Sequence, residues 1–334
     1  MIIPVDEFLK LRATLPVVDV RSEGEFAEGH IQSAINIPIL TNAERIAVGT
    51  DYKQKGQAEA IRTGFRLVGP RLLEIVDQAK AVNNELMVHC WRGGMRSGNF
   101  CQFVGMAGVK THQLKGGYKA YRNVALQSFK TPFRFIVLAG STGSGKTEVL
   151  QALARAGEQI IDLEKLASHK GSVFGGLMQA PQPTTEQFQN DLFETILTLD
   201  PNRRIWIEDE SVAVGKIFLP MDFWQAMGRS PVIELQVEKD IRIQRLVREY
   251  GPADKEQFLE AMTGITKKLG GQHFKAAKEK LAENDMPAVM DILLTYYDKA
   301  YRNGLEKKKH RITAGFAWDG GDKNKLINGL LSFQ

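Results

Sequence analysis

Residues 135–147 read Phe-Ile-Val-Leu-Ala-Gly-Ser-Thr-Gly-Ser-Gly-Lys-Thr, an apolar run that meets a glycine-rich turn. Phe135–Ala139 has the length and composition of a buried strand. Gly140–Thr147 then fits Gly-x-x-x-x-Gly-Lys-Thr throughout, and Glu148–Ala156 reads as a helix. In the order strand, loop, helix, the backbone N–H groups and the helix N-terminus point at a phosphate group. Gly140, Gly143 and Gly145 allow the backbone to approach where a side chain would collide, and Ser141 and Ser144 complete the loop. Lys146 is placed to neutralise the distal phosphate and Thr147 to hold a magnesium ion. This stretch predicts a P-loop α/β fold.

Downstream, Arg204–Ile207 and Val232–Leu235 read as further strands. Glu208, Asp209 and Glu210 follow the first of these, where a P-loop site carries its second acidic element; helix-capping or surface carboxylates would read the same way. His169 and Lys170 are candidate phosphate or RNA contacts. Lys239–Glu249 reads as a basic helix on which Arg242, Arg245 and Arg248 recur every three residues, suited to a phosphate, to RNA or to a solvated face. Residues 255–303 read as mostly helical, broken at Gly270-Gly271. The basic run Lys307–Arg311 reads equally as a solvated turn or a nucleic-acid contact.

Upstream, Val17–Val20, Glu85–His89 and Lys110–Leu114 read as short strands and Gly98–Ala107 as a helix, a pattern that implies a parallel α/β sheet. The pattern breaks around Gln127–Phe133, where Pro132 interrupts it, so the expected domains span 1–126 and 133–334. His89-Cys-Trp-Arg-Gly-Gly-Met-Arg-Ser97 lies between a strand and a helix. A cysteine reacts as its thiolate, which cations and a helix N-terminus favour. Arg92 and Arg96 supply the cations, and Gly93 and Gly94 let backbone amides turn inward. Cys90 is therefore expected as a thiolate facing an anion pocket completed by Ser97. Cys101, within an apolar helix, is expected to be packing, and His89 to face the sheet core or brace the loop rather than act as a base.

The rest of the composition is permissive. The chain has 334 residues, 43% hydrophobic and 25% charged, as a folded two-domain protein should. Two cysteines are too few for a disulfide framework, no apolar run reaches the roughly 18 residues of a membrane span, and the opening residues do not read as a signal peptide. A cytoplasmic protein is expected. Its net charge of +5 is compatible with a polyanionic partner and does not demand one.

The first module resembles a rhodanese domain. Asp19-Val-Arg21-Ser22 with Glu25-Phe26, then Gly29-His30-Ile31, Ala34, Asn36 and Pro38, the Cys90 loop, and Leu114-Lys-Gly-Gly-Tyr118 carry the resemblance. The loop from Cys90 to Arg96 is one residue longer than those of sulfurtransferases and resembles the Cys-x5-Arg-Ser loop of rhodanese-fold phosphatases, which points to a larger or phosphate-bearing donor. Joined to a P-loop domain, and with Asp162-Leu-Glu164, Ser168–Ser172, Phe174-Gly175, Glu208-x-Glu210-Ser211 and Tyr296-Tyr-Asp298, the chain resembles the bacterial tRNA 2-selenouridine synthases. That resemblance implies a rhodanese-like domain followed by a P-loop domain with a helical C-terminal part. It implies an enzyme that acts on wobble 2-thiouridine in the transfer RNAs for Lys, Glu and Gln. The sulfur is first geranylated from geranyl diphosphate, then replaced by selenium from selenophosphate through a selanyl-cysteine at Cys90. Selenophosphate and geranyl diphosphate would be co-substrates with no tightly bound cofactor, magnesium being an optional companion and no metal ligand set being assigned.

Two other readings remain open on the residues alone. One is a rhodanese-fold cysteine phosphatase with a nucleotide-binding regulatory domain. The other is a nucleotide-binding RNA adaptor whose cysteine loop is vestigial.

Overall fold

The computed structural model describes residues 1–333, and the chain divides into two compact units. The first comprises Met1–Ser128 together with Gln189–Glu194; the second comprises the remaining residues from Phe129 onward.

Five strands build the first unit: β1 (Ile2–Ile3), β2 (Val17–Asp19), β3 (Ile35–Asn36), β4 (Glu85–His89) and β5 (Lys110–Leu114). They pair in parallel in the order β1-β5-β4-β2-β3. Central β4 is apolar from Leu86 to Val88, which are fully buried, as in a parallel sheet covered on both faces; Glu85 and His89 flank them. After β4 the chain turns through the Cys90 loop into the Met95–Met106 helix. The helix starts ahead of the expected Gly98 because its first turn carries polar side chains that serve the loop, and apolar periodicity sets in only at Phe100.

Between β3 and β4 lie the helices Asn42–Lys55 and Gln57–Val68, which the strand-based reading passed over. Thr41 starts the first with a capping box: its hydroxyl accepts from Glu44 N at 3.3 Å, and the Glu44 carboxylate accepts from Thr41 N at 2.8 Å. The pair packs on the core through Val48 and Val68.

The second unit holds β6 (Phe135–Gly140), β7 (Gln159–Ile161), β8 (Ile205–Glu208), the small hairpin β9 (Ala213–Val214) and β10 (Ile217–Phe218), then β11 (Val232–Gln236) and β12 (Ile312–Ala317). Its main sheet is parallel, in the order β12-β11-β6-β8-β7. β6 is wholly buried at the centre, and the crevice beyond its carboxyl end is where α/β sheets of this kind bind ligands. Strand β12 was not foreseen. Its residues alternate between half-buried and exposed, and the basic run before it masks the strand pattern.

The C-terminal part is helical: Lys255–Thr263, Thr266–Leu269, Gly271–Ala282 and Met286–Lys308. The expected break falls at Gly270, whose φ of +92° suits glycine alone. These helices pack around Phe258, Met262, Leu293 and Leu294.

Candidate functional site

In the first unit, Cys90 sits at the carboxyl end of β4, 3% exposed. Its backbone is clamped by the Gly116-Gly117-Tyr118 turn: Tyr118 N donates to Cys90 O at 2.8 Å and Lys119 N to Trp91 O at 2.9 Å. This contact requires glycine. A Cβ on Gly117 would lie 2.3 Å from Cys90 O, and one on Gly93 would lie 2.5 Å from Leu114 O; both residues have φ above +60°. Among the described residues, no protein acceptor is found for the backbone N–H groups of Trp91 to Ser97, so the loop and the first helical turn offer their amides to an outside anion.

The thiol has one close polar neighbour. Ser97 Oγ lies 3.2 Å from Cys90 Sγ, and Gln113 Nε2 donates to Ser97 Oγ at 2.9 Å and to Gly93 O at 2.8 Å. Gln113 supplies the proton that Ser97 accepts, so the Ser97 hydroxyl donates its own, to Gly94 O at 3.3 Å or, by rotation, to a sulfur anion at Cys90. Gln113 escaped the sequence reading; its only signal is a place near the end of the strand beside β4.

The two arginines differ from expectation. Arg96 donates to Glu25 at 2.6 and 3.2 Å, so its charge is already countered. Burial works against that charge, and the Glu25 bond and carboxylate hold the guanidinium above its ordinary range. Arg92 is exposed, and Gly94 is open on its Cβ side. Arg96 therefore serves to tie the loop to Glu25, and the cation open to an incoming anion is Arg92. His89 is fully buried between Phe8 and Tyr118, its Nδ1 3.8 Å from Asp19 Oδ1, and burial keeps the imidazole neutral. Cys101 packs on the core cluster, and burial pushes its thiol up.

The second unit has a cleft of about 1100 Å³ at the carboxyl end of β6. Gly140, Gly143, Gly145, Lys146 and Thr147 line one wall; Ser144 is tucked beneath, its hydroxyl buried, and Ser141 continues the loop. Lys146 Nζ donates to Gly140 O at 3.0 Å, and Thr147 Oγ1 donates to Glu164 Oε2 at 2.9 Å. Gly143 and Gly145 have φ near +80°, and a Cβ on Gly145 would meet Arg245 Nη1 at 2.6 Å.

Opposite lies a carboxylate group whose members have different jobs. Glu208 is fully buried; its Oε2 accepts from Leu163 N at 2.9 Å, and burial raises it well above the carboxylate range. Asp209 is held by Lys308 Nζ at 2.6 Å. Glu210 lines the cleft with Glu164; burial pushes it up to about 7, with Lys146 pulling the other way. Burial also raises Glu164. Among the described residues no trio of acidic, His or Cys side chains is grouped to hold a metal unaided.

The candidate cations are redistributed. Arg242 is 5% exposed, bonded to both oxygens of Asp298 at 2.7 and 2.8 Å and to Thr142 O at 3.3 Å. It is a strut behind the P-loop and not a surface contact, which corrects the reading of three equivalent arginines. Arg245 pairs with Glu148 and lies 4.2 Å over the Trp318 ring, at the cleft wall. Arg248 is exposed at the cleft. Lys170 lines it too, paired with Glu249 at 2.6 Å. His169 turns away, packed against Gly175 and Gly215, and burial lowers it. An aromatic wall was not foreseen: Tyr297, known only as part of the Tyr296-Tyr-Asp298 motif, and Tyr301 reach the cleft on the Met286–Lys308 helix beside Tyr250 at the end of the Lys239–Tyr250 helix.

A parallel α/β domain whose central strand ends on a braced thiol, followed by a P-loop domain, defines a rhodanese-like and P-loop two-domain protein. Residues 4–124 match the rhodanese-like domain family, and residues 133–320 match the tRNA 2-selenouridine synthase AAA domain. The tRNA 2-selenouridine synthase of Hydrogenovibrio crunogenus is 36% identical, with 89% of this chain and 91% of that protein covered. The protein of that name from Sulfurovum sp. is 35% identical over 89% and 90%, and that from Shewanella denitrificans 33% over 93% and 94%. The chain belongs to the tRNA 2-selenouridine synthase family. Among the described residues no helix is long and apolar enough to cross a membrane.

Proposed function

We propose that this chain replaces the sulfur of 2-thiouridine in transfer RNA with selenium, in two steps served by its two units. What carries the reading is the pairing, in one chain of this family, of a thiol loop with open amides and a P-loop cleft far larger than a phosphate needs.

The chemistry accounts for the order. A thione sulfur leaves carbon poorly, whereas an alkylated sulfur departs as a thiol. In the first step the sulfur attacks C1 of geranyl diphosphate, the carbon–oxygen bond breaks, diphosphate leaves and the base loses its N3 proton. Lys146 and the amides of Gly143, Gly145, Lys146 and Thr147 would hold the diphosphate. Glu210, poised near neutrality in the same cleft, is suited to receive the proton. Should magnesium accompany the diphosphate, Thr147 and Glu164 are the oxygen ligands at hand, the remainder coming from the diphosphate and water. The tyrosine wall would cover the geranyl chain.

In the second step selenophosphate binds the Cys90 loop through Arg92, the open amides and Ser97; the Cys90 thiolate takes the phosphoryl group, the phosphorus–selenium bond breaks, and the selenide set free attacks the base carbon and displaces the alkylated sulfur. The exchange is redox-neutral overall: selenium enters as selenide, water takes the phosphoryl group as phosphate, and the base releases geranyl thiol.

Mass spectrometry of tRNA nucleosides, with the two co-substrates added singly and together, tests the scheme. Geranyl diphosphate alone should give geranylated 2-thiouridine, and both together 2-selenouridine. Cys90→Ser should stop at the geranylated base, and Lys146→Ala should lose geranylation by on the order of a hundredfold. Intact geranylation in Lys146→Ala with selenation abolished would refute the assignment of the diphosphate to the P-loop.

A further inference from the structure

The first unit contains an apolar pocket that neither step yet uses. It holds about 180 Å³ between the two helices Asn42–Lys55 and Gln57–Val68 and the start of the Met95–Met106 helix. Leu40, Val48, Ile61, Phe65 and Phe103 supply its walls. Polar side chains enter only at Gln57, Arg96, Asn99 and the Tyr52 hydroxyl. The pocket borders the thiol loop: Met95 and Arg96 line it, the next residue, Ser97, lies against the Cys90 sulfur, and Cys90 packs in one core cluster with Leu40, Val68 and Phe103 of the pocket wall. Phe65 and Tyr52 are 62% and 59% exposed, an unusual display of aromatic surface beside a reactive loop.

We propose that this pocket receives the alkyl chain of S-alkylated RNA during selenium transfer, holding the departing alkyl thiol while the base carbon faces Cys90. This deepens the function proposed above and rests on its alkylated intermediate. An apolar cavity of about 150 Å³ takes a benzene ring, so a pocket of this size suits a short branched hydrocarbon rather than a sugar or a phosphate. A ligand that is hydrocarbon at one end and anionic RNA at the other matches an apolar pocket bordered by the thiol loop, which carries the exposed Arg92. Each buried methylene contributes roughly fourfold in affinity, so even partial burial of a ten-carbon chain discriminates strongly against a methyl group.

The test uses the full chain and synthetic anticodon stem-loops carrying S-geranyl- or S-methyl-2-thiouridine, with binding read by fluorescence anisotropy. Supplying alkylated RNA bypasses the first step. Gly64 lines the pocket within a helix, and a Cβ there meets nothing within 4 Å, so Gly64→Phe fills the space without displacing backbone. Phe65→Ser, at a side chain 62% exposed, is the second variant. The wild-type chain should prefer the geranyl RNA by about tenfold or more, and both variants should lose most of that preference while binding the methyl RNA as before. No preference in the wild type, or a preference that Gly64→Phe leaves intact, overturns the proposal. So does weaker binding of all RNAs alike in Phe65→Ser, which assigns the patch to a stacked base. Selenophosphate is then added to the same mixtures. Failure of the wild type to release geranyl thiol from RNA it has bound would count against the two-step function and leave the pocket assignment standing.

Discussion

At the residue scale, the site is built from contacts that only one side chain satisfies. Gly117 presses on the carbonyl of Cys90 at a φ of +61°. Gly117→Ala must strain that φ and push the loop outward, a cost of about 2–4 kcal/mol. Thermal unfolding should detect a lowered first transition, and thiol labelling should show Cys90 more accessible. Glu210 offers a pH test. Burial raises its folded value to about 7 from an ordinary carboxylate value, so the folded state holds a proton that the unfolded chain has released. The resulting stability is complete below the unfolded value and is lost as pH rises through about 7. Glu210→Gln should therefore leave melting unchanged near pH 4 and stabilise the ligand-free protein by about 2 kcal/mol at pH 8. Equal effects at both pH values would contradict the burial argument. Both residues stand in motifs that were readable, Leu114–Tyr118 and Glu208-x-Glu210-Ser211; their contacts were not.

At the element scale, the Lys239–Tyr250 helix shows why spacing alone misassigned its arginines. Residues three apart drift around a helix by about 60° per step. Arg242 thus faces inward to Asp298, Arg245 meets Glu148 and Trp318 at the cleft, and Arg248 reaches solvent. Arg242→Ala strips Asp298 of its partner and removes the bond to the P-loop carbonyl at Thr142, at a cost of about 3 kcal/mol. A fall in melting temperature, with no change in the salt dependence of RNA binding, is the expected result. A changed salt slope with unaltered stability would restore Arg242 as a phosphate contact. The helices Asn42–Lys55 and Gln57–Val68 make a related point. Short strands drew the reading past a pair whose value lies in the pocket they enclose.

At the scale of the whole molecule, the proposed function assigns two chemistries to one chain, linked by an alkylated RNA intermediate. The alkylated RNA is a stable covalent species, so separate copies should complement. Cys90→Ser mixed with Lys146→Ala should form 2-selenouridine that neither makes alone, at a rate that rises with RNA turnover; nucleoside mass spectrometry reads it. No product from the mixture would mean that the intermediate never leaves its copy. The net charge of +5 belongs to the same scale, favouring RNA association that weakens with salt.

The order of strands and turns, the P-loop and the thiol loop were legible because local backbone chemistry dictates them. A buried parallel strand must be apolar, a phosphate cradle must be glycine-rich, and a cysteine between a strand and a helix start meets that helix's amides. Which charges stay open was decided only in three dimensions. Arg96 is countered by Glu25, Arg242 by Asp298 and Asp209 by Lys308, partners between 56 and 99 residues away. An ion pair has no sequence period, and its partner is chosen by the packing of whole elements. The same packing gathers Tyr250, Tyr297 and Tyr301 into one wall and opens the apolar pocket beside the thiol.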